Sequence, residues 1–170
     1  MRLWPATLAG IGIGALLLSN RQETHIMPQG KTLEQHLASL RTPVADAARS
    51  LMALALEAGV KLDIVQSFRS PADQAVIYAQ GRTTPGPIVT HAKPGTSYHE
   101  YGLAFDVAVD KGGKPTWPND IALWTKLGVL GESIGLKWGG RFPSPDYGHF
   151  ELHMPGIGPG QSPAPSTPVA

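Results

Sequence analysis

The chain has 170 residues, 42% hydrophobic and 16% charged, enough apolar material for one packed domain and too little charge for a disordered polymer. Lys and Arg number 14 against 13 Asp and Glu, a formal net charge of +1, so no broad basic surface of the kind nucleic-acid phosphates require is encoded. Without cysteine there are no disulfides, thiolate metal sites or Cys nucleophile, and His, Asp and Glu remain as metal ligands.

Residues 1–22 read as a hydrophobic signal anchor or signal peptide. Leu3 to Asn20 carry no charge and Arg2 supplies a minimal positive flank, yet no clear cleavage site follows Leu16-Leu17-Leu18. An uncleaved anchor, a cleaved signal and a buried helix all stay open. Either of the first two sends the remainder to the periplasm or cell wall, the anchor tethering it to the inner membrane. Residues 25–154 form the working domain, and residues 155–170, rich in Pro, Gly and Ser, read as a disordered tail.

Within the domain, Thr42-Pro43 gives an N-cap and a first-turn proline ahead of Val44, Ala48, Leu51 and Ala55, a helical stripe that stops at Gly59. Val60 to Arg69 alternates as a half-buried strand, with Ser67 and Arg69 on its polar face. Ser70-Pro71-Ala72-Asp73 opens a helix ending near Gly81. In Leu103 to Val109, Leu103, Phe105, Val107 and Val109 point one way and Ala104, Asp106 and Ala108 the other. Pro118-Asn119 opens a helix with Ile121, Trp124, Leu127 and Leu130 at helical spacing, closed by Gly135. Two short strands follow, Leu136 to Trp138 and Gly148 to Leu152. The pattern is α+β: a small, mainly antiparallel sheet flanked by helices, and the sheet face that carries Asp106 is where a zinc site is expected on the ligand argument that follows.

A zinc catalyst needs about three protein ligands and one open position. His99 and Asp106 offer two. His149 offers the third, because Phe150 and Leu152 would face the core and turn His149 to the polar side that Asp106 occupies. Asp146 stands three residues before His149, where a carboxylate can serve as general base; a turn-forming Asp beside Pro145 and Gly148 reads equally well. Arg69 reads either as a cation for a developing oxyanion or as a surface residue. Glu100 and Glu151 read as structural neighbours of ligands, and His153 as solvent-exposed at the domain's end. His91 sits in a long loop that could face substrate, His25 and His36 have no assigned role, and Trp138, Tyr98 and Tyr101 suit either a groove wall or core packing.

The run Ser97-x-His99-x-x-Gly102-x-Ala104-x-Asp106, followed by Asp146-x-x-His149, resembles the zinc-dependent D,D/L,D-peptidases of bacterial cell walls, which include carboxypeptidases, dipeptidases and phage endolysins. The likeness runs from Gln66-Ser67-Phe68-Arg69-Ser70 through Gln74, Tyr78 to Arg82, Ala92 to Gly95 and Trp138 to Arg141, ending at Phe150. Tyr78 to Arg82 and the loop through Pro85 and Lys93 are most similar to the L-alanyl-D-glutamate endopeptidase branch. The resemblance implies His99, Asp106 and His149 as Zn2+ ligands, Asp146 as catalytic base and Arg69 as transition-state stabiliser. It also implies peptidoglycan stem peptides as substrate, cut at L-alanyl-D-glutamate, with D-alanyl-D-alanine carboxypeptidase as the alternative activity. A non-catalytic wall-binding module with a structural zinc is the rival from another class. One departure stands out: Gly148 replaces the proline this branch usually shows before its last ligand, and is expected to loosen the turn that carries Asp146.

Overall fold

In the computed structural model, which describes residues 30–168, the first element is a short helix that periodicity does not announce, α1 (Leu33–Leu37). Five residues are too few for a stripe, and a reciprocal box between Thr32 and Gln35 caps it. The long helix α2 (Thr42–Glu57) takes Thr42 into its first turn, so the expected Thr42 cap is not made and Arg41 occupies the cap position without a side-chain bond. Pro43 still presets the helical φ. Val44, Ala48, Leu51 and Ala55 are buried as the stripe requires, and Gly59 ends the helix region at φ 83°, where a Cβ is costly.

Strand β1 (Leu62–Gln66) is shorter than the alternation suggests, because its register with the next strand slips between Ile64 and Gln66. Ser67 and Phe68 leave the ladder and both are buried. Helix α3 (Pro71–Ala79) starts as predicted, the Ser70 side chain accepting the Asp73 N–H. Strand β2 (Ala104–Asp110) is the centre of the sheet. It pairs with β1, with the two-residue β3 (Pro115–Thr116), and with β5 (His149–Glu151), which in turn pairs with β4 (Lys137–Trp138); every pairing is antiparallel. Between β3 and β4 lies α4 (Ile121–Ser133), capped by the Asp120 carboxylate on the Leu123 N–H. Ile121 is 59% exposed and does not join the core stripe, since it starts the helix beyond the packed region.

α2 and α4 meet the sheet on one face, where Leu51, Leu127, Phe105, Val107, Trp138 and Phe150 form a single core. That leaves Asp106 and His149 on the opposite face, the expected α+β arrangement. Beyond Pro155, where no structure is expected, Met154 bridges to Ile157, and Ile157 and Ala164 lie against the core. The anticipated N-terminal anchor lies outside the described residues. Among the described residues no helix is long and apolar enough to cross a membrane.

Candidate metal centre and groove

Antiparallel pairing sets Asp106 directly opposite His149, and strand alternation turns both away from Phe105 and Phe150. His99 arrives from a 3-10 turn, Tyr98–Tyr101, just before β2. The buried Glu100 carboxylate accepts the N–H groups of Gly95 and Ser97 and fixes this turn, and Gly102 at φ 66° redirects the chain into the strand.

The His99 Nδ1 lies 2.8 Å from the Ser67 carbonyl oxygen. A carbonyl only accepts, so Nδ1 carries the proton and the Nε2 lone pair is presented to the site. That Nε2 is 3.3 Å from Asp106 Oδ1, and the His149 Nδ1 is 2.9 Å from the same oxygen. Ligands at about 2.0 Å from a tetrahedral zinc ion stand about 3.3 Å apart, so this donor set fits the metal with little movement. Among the described residues this is the cluster whose ligand atoms all lie within 4.8 Å of one another.

Charge is shared accordingly. Burial disfavours the Asp106 carboxylate, but its electrostatic attraction to His99 and the hydrogen bond from His149 outweigh it and hold Asp106 well below the usual carboxylate range. Burial likewise opposes an imidazolium at His149, yet its bonds to Asp106 and Glu151 push it up to about 9. The proton on Nδ1 thus stands where a divalent cation would, and metal uptake must displace it.

Arg69, Asp146, Tyr98, His91 and Phe142 line a groove of about 720 Å³ that also contains His99, Asp106 and His149. All five site residues expected from the sequence therefore share one cavity. Arg69 is half-buried and donates to Gln74 Oε1 at 2.8 Å; burial lowers its pKa, partly offset by Asp106 and Glu100. Asp146 opens to solvent on one side, but partial desolvation of its carboxylate in the groove, and then the negative charge of Asp106, raise its pKa. Its turn is closed by the Asp146 N–H on Gly139 O at 3.0 Å and the His149 N–H on Asp146 O at 3.2 Å. A Cβ at Gly139 would lie 2.5 Å from the Asp146 carbonyl oxygen, so only glycine lets the two segments approach this closely.

Gly148 does not loosen this turn. Its carbonyl accepts the Val107 N–H at 2.9 Å, and a Cβ there would meet the Val107 carbonyl oxygen at 2.7 Å. Close backbone approach to β2 explains the glycine.

Sequence reasoning missed Gln74 as a functional residue. It is fully buried, and besides holding Arg69 it donates to the Ala92 carbonyl at 2.8 Å, tying the groove loop to α3. Only its place in the family likeness pointed to it. His153 is not merely solvent-exposed, for it bonds Glu151 at 2.8 Å and stacks on Tyr98. Of the three aromatics, Tyr98 lines the groove, while Tyr101 and Trp138 are core.

The model of the family described as VanY, D-alanyl-D-alanine carboxypeptidase, matches residues 37–136, a stretch that holds Arg69, His99 and Asp106 and stops before Asp146. The chain is 37% identical over 126 residues to the peptidoglycan L-alanyl-D-glutamate endopeptidase CwlK of Bacillus subtilis (strain 168), covering 68% of this chain and 74% of that protein. The Serratia marcescens L-Ala D-Glu endopeptidase ChiX superposes with a TM-score of 0.55 at 19% identity, over 74% of this chain and 89% of that one. A mutant of the vancomycin resistance D,D-pentapeptidase VanY, solved in complex with Zn(II), superposes with a TM-score of 0.52 at 19% identity, over 66% and 72%. These two structures share the helix-and-antiparallel-sheet fold.

Proposed function

The chain belongs to the VanY family of D-alanyl-D-alanine carboxypeptidases, and from that premise we propose that it is a zinc peptidase cutting the L-alanyl-D-glutamate bond of peptidoglycan stem peptides. The carrying observation is the convergence of His99 Nε2 and His149 Nδ1 on Asp106 Oδ1, with Asp146 and Arg69 on the same groove. Three ligands leave a coordination position free, whereas a structural zinc site ordinarily closes with four protein ligands. The likeness to CwlK supports the choice of bond. The apolar leader and a substrate outside the inner membrane support a periplasmic or wall location, with residues 1–22 as the membrane tether or export signal.

Bound zinc supplies Lewis acidity, polarising the scissile carbonyl and acidifying water. His99, with its Nδ1 proton committed to Ser67, keeps Nε2 basic and oriented for the metal. Asp146 takes the proton from a water molecule whose oxygen bonds to the carbonyl carbon. As the C–N bond breaks, the same carboxylate returns that proton to the leaving amine. Arg69, braced by Gln74, holds a fixed positive charge for the developing oxyanion.

Digestion of purified peptidoglycan followed by mass spectrometry of the muropeptides tests the reading. The expected products retain L-alanine on the sugar and expose an amino group on D-glutamate. Loss of the terminal D-alanine alone would replace it with the second reading, the carboxypeptidase activity named by the family match. No release of amino groups by the zinc-loaded protein would overturn both.

A further inference from the structure

Glu151 has no part in the scheme above, yet it is 5% exposed and touches a ligand. Its two oxygens are used differently. Oε1 receives Lys137 Nζ at 3.1 Å and His153 Nε2 at 2.8 Å, while Oε2 faces His149 Nε2 at 3.1 Å. The His153 ring in turn stacks on Tyr98, centroids 4.5 Å apart and planes 6° from parallel. Lys137 and His153 thus approach the carboxylate from one side and leave the other oxygen for the ligand imidazole.

We infer that Glu151 is a positioning residue that keeps the proton of His149 on Nε2 and so makes Nδ1 the metal-binding atom, with Lys137, His153 and Tyr98 holding the carboxylate in that rotation. The inference rests on the zinc site proposed above. An imidazole has two nitrogens that can bind a metal, and the one that does is set by the hydrogen bond its partner makes. A carboxylate accepts only, so Nε2 must donate to it. Asp106 then shares the metal with Nδ1 rather than its proton.

An amide at this position makes an opposite arrangement possible. In Glu151→Gln the side-chain carbonyl is drawn to the two donors, Lys137 and His153, which turns the NH2 group toward His149. Nε2 then becomes an acceptor, and the imidazole proton moves to Nδ1, the atom the metal needs. His153→Phe preserves an aromatic ring against Tyr98 but removes one of the two donors that hold the carboxylate. His153→Gln preserves a donor and gives up the ring.

The experiment is zinc titration of the full-length apo protein against a chromophoric chelator, joined to ring-nitrogen chemical shifts of His149 in the zinc-loaded state. Wild-type protein should bind zinc with His149 protonated on Nε2. Glu151→Gln should weaken binding by roughly 10- to 100-fold, the range for the outer partner of a metal-bound histidine. His153→Phe should give a smaller loss that His153→Gln partly restores, and this exposed pair keeps the test usable if Glu151→Gln does not fold. Wild-type affinity in folded Glu151→Gln, or in His153→Phe if Glu151→Gln does not fold, overturns the inference, as does a proton on Nδ1 of zinc-loaded His149. Either result leaves the peptidase reading intact, whereas a wild-type protein that takes up no zinc overturns both.

Discussion

Two of the three metal-site residues and the proposed catalytic pair are held by different kinds of structure. Asp106 and His149 are cross-strand partners on a ladder whose other face is sealed by Phe105 and Phe150, both fully buried. Arg69 and Asp146 hang outside any ladder: one follows the register slip of β1 and leans on Gln74, the other stands in a turn closed by single backbone bonds. A metal cage tolerates little displacement, and this one takes two of its three ligands from paired strands and the third from the turn leading into β2, while groups that move protons and contact varied substrates sit on loops a rigid scaffold presents. Damage to the ladder should therefore remove the metal, and damage to the loops should spare it.

The largest effect tests the ladder side. His149→Ala or Asp106→Ala should abolish hydrolysis and reduce bound zinc to background by elemental analysis, since two ligands do not make a site. Retained stoichiometric zinc in either variant would break the comparison. On the loop side, Asp146→Asn should keep a full zinc complement while turnover drops by roughly 10²- to 10⁴-fold, the usual contribution of a general base. In the metal-free protein, partial desolvation of the carboxylate in the groove and then the negative charge of Asp106 raise the Asp146 pKa, so as pH falls it takes up its proton at a higher pH than a free carboxylate does. A carboxyl-carbon NMR titration of the apo protein should place this group above an ordinary Asp, and the signal should be missing from Asp146→Asn.

How far this division could be read from the sequence follows from the range of the interactions. Alternation in Leu103 to Val109 separated Asp106 from the core residues beside it, and the same logic placed His149, because strand faces are set by local period. The register slip after Ile64, the fully buried Gln74 and the Glu151 contacts with Lys137 and His153 depend on segments distant in the chain. Gly148 was misjudged for the same reason: its neighbour is Val107, some forty positions upstream, and the turn it sits in says nothing of that approach.

Smaller effects probe how loops are braced. Gln74→Ala removes the acceptor for Arg69 and the donor for Ala92 O, leaving half-buried groups that water can still reach and costing about 1 kcal/mol of stability. Zinc affinity should be unchanged while kcat falls, with Gln74→Glu recovering only the Arg69 contact. Gly139→Ala presses a methyl group against the Asp146 carbonyl and should cost about 1–3 kcal/mol of stability in chemical denaturation. It should lower activity by more than Gly59→Ala, whose Cβ would meet nothing nearby.

The seam between the two regions is Ser67, the first residue after β1, whose carbonyl orients His99 and whose hydroxyl is bonded to His36 Nδ1 at 2.9 Å and Ser39 Oγ at 2.7 Å. Burial, helped by the charge of Lys31, holds the His36 pKa below its ordinary 6.5. The folded state therefore resists a proton that the unfolded chain accepts. Stability from this group is complete above pH 6.5 and is lost as pH falls through the lower folded-state value. Urea denaturation of the apo protein should show wild type losing more stability than His36→Gln between pH 7.5 and 5. The difference between the two proteins isolates His36, because every other titratable group is common to both. Equal losses would mean that the seam is held by the serine hydroxyls alone and that the ladder ends without help from α1.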